Sequence, residues 1–166
     1  MKRVVVIGLV SYLAFALEFL LYNFWGPWGK PELLILVVIF FNLYLGIRFG
    51  IIAAVFCGIF KDASGVAPFG TYVLVYIAGS YVTTLVRRYL YQPGSRFSRS
   101  LAAFFVVTGC FIVQAILSNM YHEAETQNFS SLLFYILVPQ LLTTMIAATY
   151  VFAQLKNISV FFALKT

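Results

Sequence analysis

Leu33-Leu34-Ile35-Leu36-Val37-Val38-Ile39-Phe40-Phe41-Asn42-Leu43-Tyr44-Leu45-Gly46-Ile47-Arg48-Phe49-Gly50-Ile51-Ile52-Ala53-Ala54-Val55-Phe56-Cys57-Gly58-Ile59-Phe60 is the stretch on which the fold turns. It carries a single charge, Arg48. A membrane-spanning helix needs about 20 mostly apolar residues, so this stretch is too long for one ordinary span and short for two. Basic residues collect on the cytoplasmic side of a membrane, and that bias separates the two readings. With two spans and a turn at Arg48, one side receives Lys2, Arg3, Arg48, Arg87, Arg88, Arg96, Arg99, Lys156 and Lys165, and the other only Lys30 and Lys61. A single long span would bury Arg48 in hydrocarbon and move the four later arginines and both C-terminal lysines outside. Two short helices are therefore expected, over 33–47 and 49–60. Pro31 and Glu32 would open the first of them at its first turn, and Asp62 to Gly65 would extend the second.

Working outward, further apolar runs cover 4–22, 70–86, 101–120 and 132–154. The 4–22 run follows Met1-Lys2-Arg3 but is too long for a signal h-region and leads into Asn23-Phe24-Trp25-Gly26-Pro27-Trp28, which reads as an interfacial exit. Six spans with both termini cytoplasmic result, in one polytopic domain over residues 1–166. The composition agrees. The 166 residues are 63% hydrophobic and 10% charged, with mean hydropathy +0.97, against about 25% charged in soluble domains. The net charge of +6 sits in the short segments between apolar runs, where it sets orientation and does not mark a nucleic-acid surface.

Chemistry-bearing residues are sparse. His122, Glu123 and Glu125 lie in the polar segment 121–131 without a Ser or Cys partner in a recognised catalytic pattern. They read as a solvated outer loop. Cys57 and Cys110 sit inside apolar runs as small packing residues, with no disulfide, metal or cofactor implied. Asn128-Phe129-Ser130 and Asn157-Ile158-Ser159 match a glycosylation pattern that often arises by chance. Glu18, four residues before Tyr22, is expected to snorkel to water. Asp62 is either a hydrated helix end or a functional group. Gly46, Gly50, Ala54 and Gly58 recur every four residues, and the last three share one face of the third helix, as close backbone packing requires. Gln114, Ser118 and Asn119 in the fifth run, and Gln140, Thr143 and Thr144 after Pro139 in the sixth, form either a polar seam or interhelical hydrogen bonds.

Within 31–88 the residues resemble a known family. Lys30-Pro31-Glu32-Leu33-Leu34, then Arg48-Phe49-Gly50, Gly58-Ile59-Phe60-Lys61-Asp62, Pro68-Phe69-Gly70 with Leu74, and Arg87-Arg88 are similar to the motif block of the bacterial rod shape-determining protein MreD family. Glu32 stands where that family often has Asp, and Lys61 where an apolar residue is common. The resemblance implies a non-enzymatic multi-pass component of the inner membrane that binds MreC, acts through it with MreB, RodA and the elongation transpeptidase, contacts membrane lipids and not nucleic acid, and helps organise sidewall peptidoglycan synthesis. It also implies a fold similar to the six-helix substrate-binding subunits of energy-coupling-factor transporters. Pro31, Glu32, Gly50, Ala54, Gly58, Asp62, Gly70 and Leu74 become the candidate packing or partner-binding residues. A carrier subunit for vitamin-type uptake is the competing reading. Such carriers commonly show Ala-x-x-x-Ala on the first helix, whereas Ala14 and Ala16 are two apart here.

Overall fold

Gly46 reverses the chain between two helices joined by that residue alone. Its φ of 94° is a conformation that side chains with a Cβ rarely adopt. The reversal therefore falls two residues before Arg48, which instead lies in the first turn of the following helix. The computed structural model describes residues 2–25, 31–64, 68–89, 96–121 and 138–161. Among them are six helices and no strand: α1 (Lys2–Trp25), α2 (Leu33–Leu45), α3 (Ile47–Ser64), α4 (Thr71–Tyr89), α5 (Arg96–Tyr121) and α6 (Val138–Phe161). Two of them, over Arg3–Phe24 and Val138–Leu155, are long and apolar enough to cross a membrane.

Side-chain contacts give the directions. Ser11 meets Cys57 and Glu18 meets Lys61, so α1 and α3 run parallel. Asn42 lies against Gly50, and Glu32 near Lys61, so α2 and α3 are antiparallel. Gly58 lies against Val73 and Gly50 against Ser80, which sets α4 antiparallel to α3. The Cys110 thiol points to the Val75 carbonyl and Gln114 reaches Tyr72, reversing α5 on α4. Phe40 packs on Phe152 with ring centroids 6.2 Å apart, and Glu32 meets Thr144, so α6 runs with α2. The six helices alternate up and down.

At the centre of this bundle is α2, whose residues from Leu33 through Leu43 are all buried and which touches each of the other five helices. At 13 residues it is about 20 Å long, well short of a hydrocarbon layer of about 30 Å. It begins later than the sequence predicts: Pro31 and Glu32 precede it. The Leu33 N–H turns back to the Pro31 carbonyl, and the Glu32 N–H donates to the Thr144 hydroxyl. Around this hub the other helices are one-sided. On α4 the buried positions Thr71, Val75, Gly79, Ser80, Thr83 and Val86 follow helical spacing, while Leu74, Tyr81, Leu85 and Tyr89 face outward. On α1, Ile7, Val10, Ser11, Ala14 and Glu18 form the inward stripe.

Candidate functional site

The end of the bundle where α1 and α3 finish and α2 and α4 begin holds a polar junction. Glu18, 2% exposed, receives the ammonium of Lys61, itself 8% exposed. Lys61 also lies 3.9 Å from the Glu32 carboxylate and 5.7 Å from the centre of the Tyr72 ring. Tyr72 accepts a 3.0 Å hydrogen bond from Gln114, and the Glu32 N–H donates to Thr144 at 3.1 Å. Thr144 in turn donates to the Gln140 carbonyl. One connected set thus draws on all six helices or their first turns: Glu18 from α1, Glu32 before α2, Lys61 from α3, Tyr72 from α4, Gln114 from α5 and Thr144 from α6.

Both buried carboxylates near Lys61 also close a helix start. The first backbone N–H groups of a helix have no partner inside it and carry the positive end of its dipole, so a carboxylate there is favourable. Glu18 accepts the Leu34 N–H of α2 at 3.3 Å, from across the α1–α2 connection. Asp62, 5% exposed, does the same for α4: it accepts the N–H groups of Gly70 at 3.0 Å, Tyr72 at 2.9 Å and Val73 at 3.3 Å. The same device serves the α1–α2 and the α3–α4 connections, both at this end of the bundle. For Asp62 the hydrated helix end is replaced by a buried one whose carboxylate caps the next helix. For Glu18 the expected snorkelling is corrected, because the side chain turns inward to a lysine that is distant in sequence.

Gly50, Ala54 and Gly58 are all buried on α3. A Cβ on Gly58 would lie 2.5 Å from the Val73 Cα of α4, and one on Gly50 would lie 2.7 Å from the Asn42 Cβ. Gly70 serves a different purpose, with φ 101° in the turn that delivers its N–H to Asp62. Leu74 points away from the bundle, 62% exposed. Gln114 and Thr144 make hydrogen bonds between helices or their flanking residues, whereas Thr143 bonds only carbonyls of its own helix. Gln140, with Glu32, Val107, Phe111 and Leu141, lines a small recess between α5 and α6. The side chains of Ser118 and Asn119, and all of His122, Glu123, Glu125 and Asn128 to Ser130, lie outside the described residues. Asn157 to Ser159 are helical, in α6.

Sequence reading missed Asn42. Its amide donates to the Ser80 carbonyl at 2.5 Å and the Ser80 hydroxyl at 2.8 Å, its Oδ1 accepts from Thr84 at 3.2 Å, and its own carbonyl accepts from Arg87 at 3.3 Å. The available signal was a lone amide in an otherwise apolar run, since such a group in a membrane core has to find a partner. Lys61 was missed for the opposite reason, having been counted as an outer basic residue. Among the described residues no group of three His, Cys, Asp or Glu side chains is placed to hold a metal ion. The junction contains acids and one base, each engaged with a neighbour, and its chemistry is that of holding helices in register.

The family model described as rod shape-determining protein MreD matches residues 1–157. The chain belongs to the MreD family. No curated protein and no solved structure matches it. Membership connects this MreD-family bundle to the determination of rod shape as a structural membrane component. The Gly50–Gly58 face and the junction residues Glu32, Lys61, Asp62 and Tyr72 fall within the block 31–88, through which the sequence resembles the family, whereas Glu18, Gln114 and Thr144 join the junction from outside it.

Proposed function

We propose that the chain is a multi-pass scaffold of the bacterial inner membrane that binds MreC, and through it MreB, RodA and the elongation transpeptidase, helping to organise sidewall peptidoglycan synthesis. The match to the MreD family over residues 1–157 carries this reading. The reading includes six spans with both termini in the cytoplasm. The strict alternation of helix direction supports it. So does the separation of charge: Arg3, Arg48, Arg87 and Arg88 lie at one end, and Glu18, Glu32, Lys61 and Asp62 at the other. By the positive-inside rule the arginine end is cytoplasmic. The likeness to energy-coupling-factor carrier subunits belongs to the same proposal and rests on helix number and order.

Affinity purification of the tagged chain in mild detergent tests it. Co-recovery of MreC and elongation enzymes is the expected result. Recovery with transporter ATPases in their place would overturn the scaffold in favour of a carrier.

A further inference from the structure

The outward face of α6 has a composition that lipid does not suit. This helix packs against α5 and α2 and leaves Leu142, Ile146, Thr149, Tyr150, Ala153 and Gln154 exposed along one stripe at helical spacing. On the neighbouring α5 every exposed side chain among the described residues is apolar: Phe104, Phe105, Ile112 and Ile116. Register on α2 fixes the depth of the polar groups of α6. Glu32 meets Thr144, 112 residues on, and Phe40 meets Phe152 at the same separation. Tyr150 therefore lies level with Val38, near the middle of α2, and Gln154 level with Asn42, one turn before the Gly46 reversal. Both fall inside the apolar span Val138–Leu155. The Thr149 hydroxyl donates to the Ile146 carbonyl at 2.8 Å, but neither the Tyr150 hydroxyl nor the Gln154 amide has a hydrogen-bond partner among the described residues. Tyr150 is 73% exposed. A polar group left without a partner in hydrocarbon is costly, and contact with another helix is how membrane proteins satisfy it.

We propose that this face of α6 is an interface between two copies of the chain, with Tyr150 and Gln154 hydrogen-bonded across a two-fold axis along the membrane normal. The chemistry of the face selects its occupant. A phenol hydroxyl and a carboxamide each donate and accept, and neither carries charge, so each pairs with its own kind. Copies inserted in one orientation and related by such an axis bring residues of equal depth together. The second copy thus supplies a donor and an acceptor at both levels, which a helix of unrelated sequence has no reason to do. Ala153, between the two, has no bulk to hold the backbones apart. The pairing rests on the six-span reading of the bundle and is independent of any other partner the chain holds.

The test is oxidative cross-linking of the full chain in inner-membrane vesicles, with Ala153→Cys on the face and Ile112→Cys, outward on α5, as control. The natural Cys57 and Cys110 are buried, and the unsubstituted chain gives the background. A disulfide-linked dimer of twice the 18.7 kDa chain mass is expected for Ala153→Cys and not for Ile112→Cys. In mild detergent, the dimer-to-monomer ratio of Tyr150→Phe/Gln154→Leu should fall about ten-fold. Its helix content by circular dichroism should not change, because both side chains face away from the bundle. Absence of the Ala153→Cys dimer, an equal dimer from Ile112→Cys, or an unchanged ratio in the double variant overturns the pairing. An adduct of Ala153→Cys with a different protein also overturns it, giving the face to a foreign transmembrane helix. A reporter fused after Arg99 keeps the two readings apart: a cytoplasmic signal without the cross-link ends the pairing alone, and a periplasmic signal ends the six-span reading with it.

Discussion

Lys61 shows what a single buried charge demands of its neighbours. Removing one member of a buried ion pair leaves the other uncompensated, at a cost of about 3–5 kcal/mol. Lys61→Met is therefore expected to lower thermal stability in detergent sharply, with Glu18→Gln milder because a neutral amide still accepts from the Leu34 N–H. The Lys61→Met/Glu18→Gln double variant should lose less than the two single losses added together, and strict additivity in a thermal-shift series would remove the coupling. Gly58 gives the steric counterpart. Gly58→Leu drives a branched side chain into the Val73 backbone, whereas Val55, half-buried on another face of α3, tolerates Leu. Inserted Gly58→Leu protein should persist while detergent resistance or partner co-purification declines. Equal behaviour of Gly58→Leu and Val55→Leu in both assays would remove the packing face. Gly50, Ala54 and Gly58 were legible in the sequence because a four-residue period on one helix is a local property. Glu18 was misread because its nearest sequence landmark, Tyr22, says nothing of a lysine 43 residues further on.

Between residues and bundle stands the α2–α3 hairpin, whose existence was legible and whose reversal point was not. Arg48 drew the turn to itself as the only charge in an apolar run, yet an exposed arginine fits the first turn of a helix at the membrane surface. The reversal needs a backbone that only Gly46 supplies readily. Gly46→Ala forces a side chain into that conformation at about 1–3 kcal/mol, while Arg48→Ala leaves the hairpin unstrained. A lower unfolding temperature for Gly46→Ala than for Arg48→Ala is the expected ranking, and the reverse ranking would return the turn to Arg48. The helix starts follow a similar logic. A capping residue is usually sought immediately before its helix, but Glu18 and Asp62 cap α2 and α4 from the preceding helices. Asp62→Asn keeps an acceptor and should be tolerated better than Asp62→Leu, which leaves three N–H groups without their acceptor; hydrogen exchange at Tyr72 and Val73 would report the difference.

For the molecule as a whole, the order of the helices was legible from hydropathy and charge, because both are written along the chain. The junction that draws on all six was not, since Gln114, Thr144 and Tyr72 carry no shared spacing and meet only once the helices alternate. The alternation leads to a topology test. Reporters fused after Arg99 and at the C-terminus should read cytoplasm, and those after Trp28 or Glu125 periplasm; a periplasmic signal after Arg99 would end the six-span reading. In a rod-shaped host, depletion is expected to round the cells without loss of vitamin uptake, and reduced uptake in rods of normal shape would favour the carrier. The position of α2 bears on how such a molecule is made. The most apolar helix is the one held furthest from lipid, so its hydrophobicity does not serve the finished protein's contact with the bilayer. At 13 residues α2 is short for a span of its own, so entry into the bilayer paired with α3 about Gly46 is the expected order of assembly, and Gly46→Ala is expected to lower the inserted fraction in a membrane-fractionation assay.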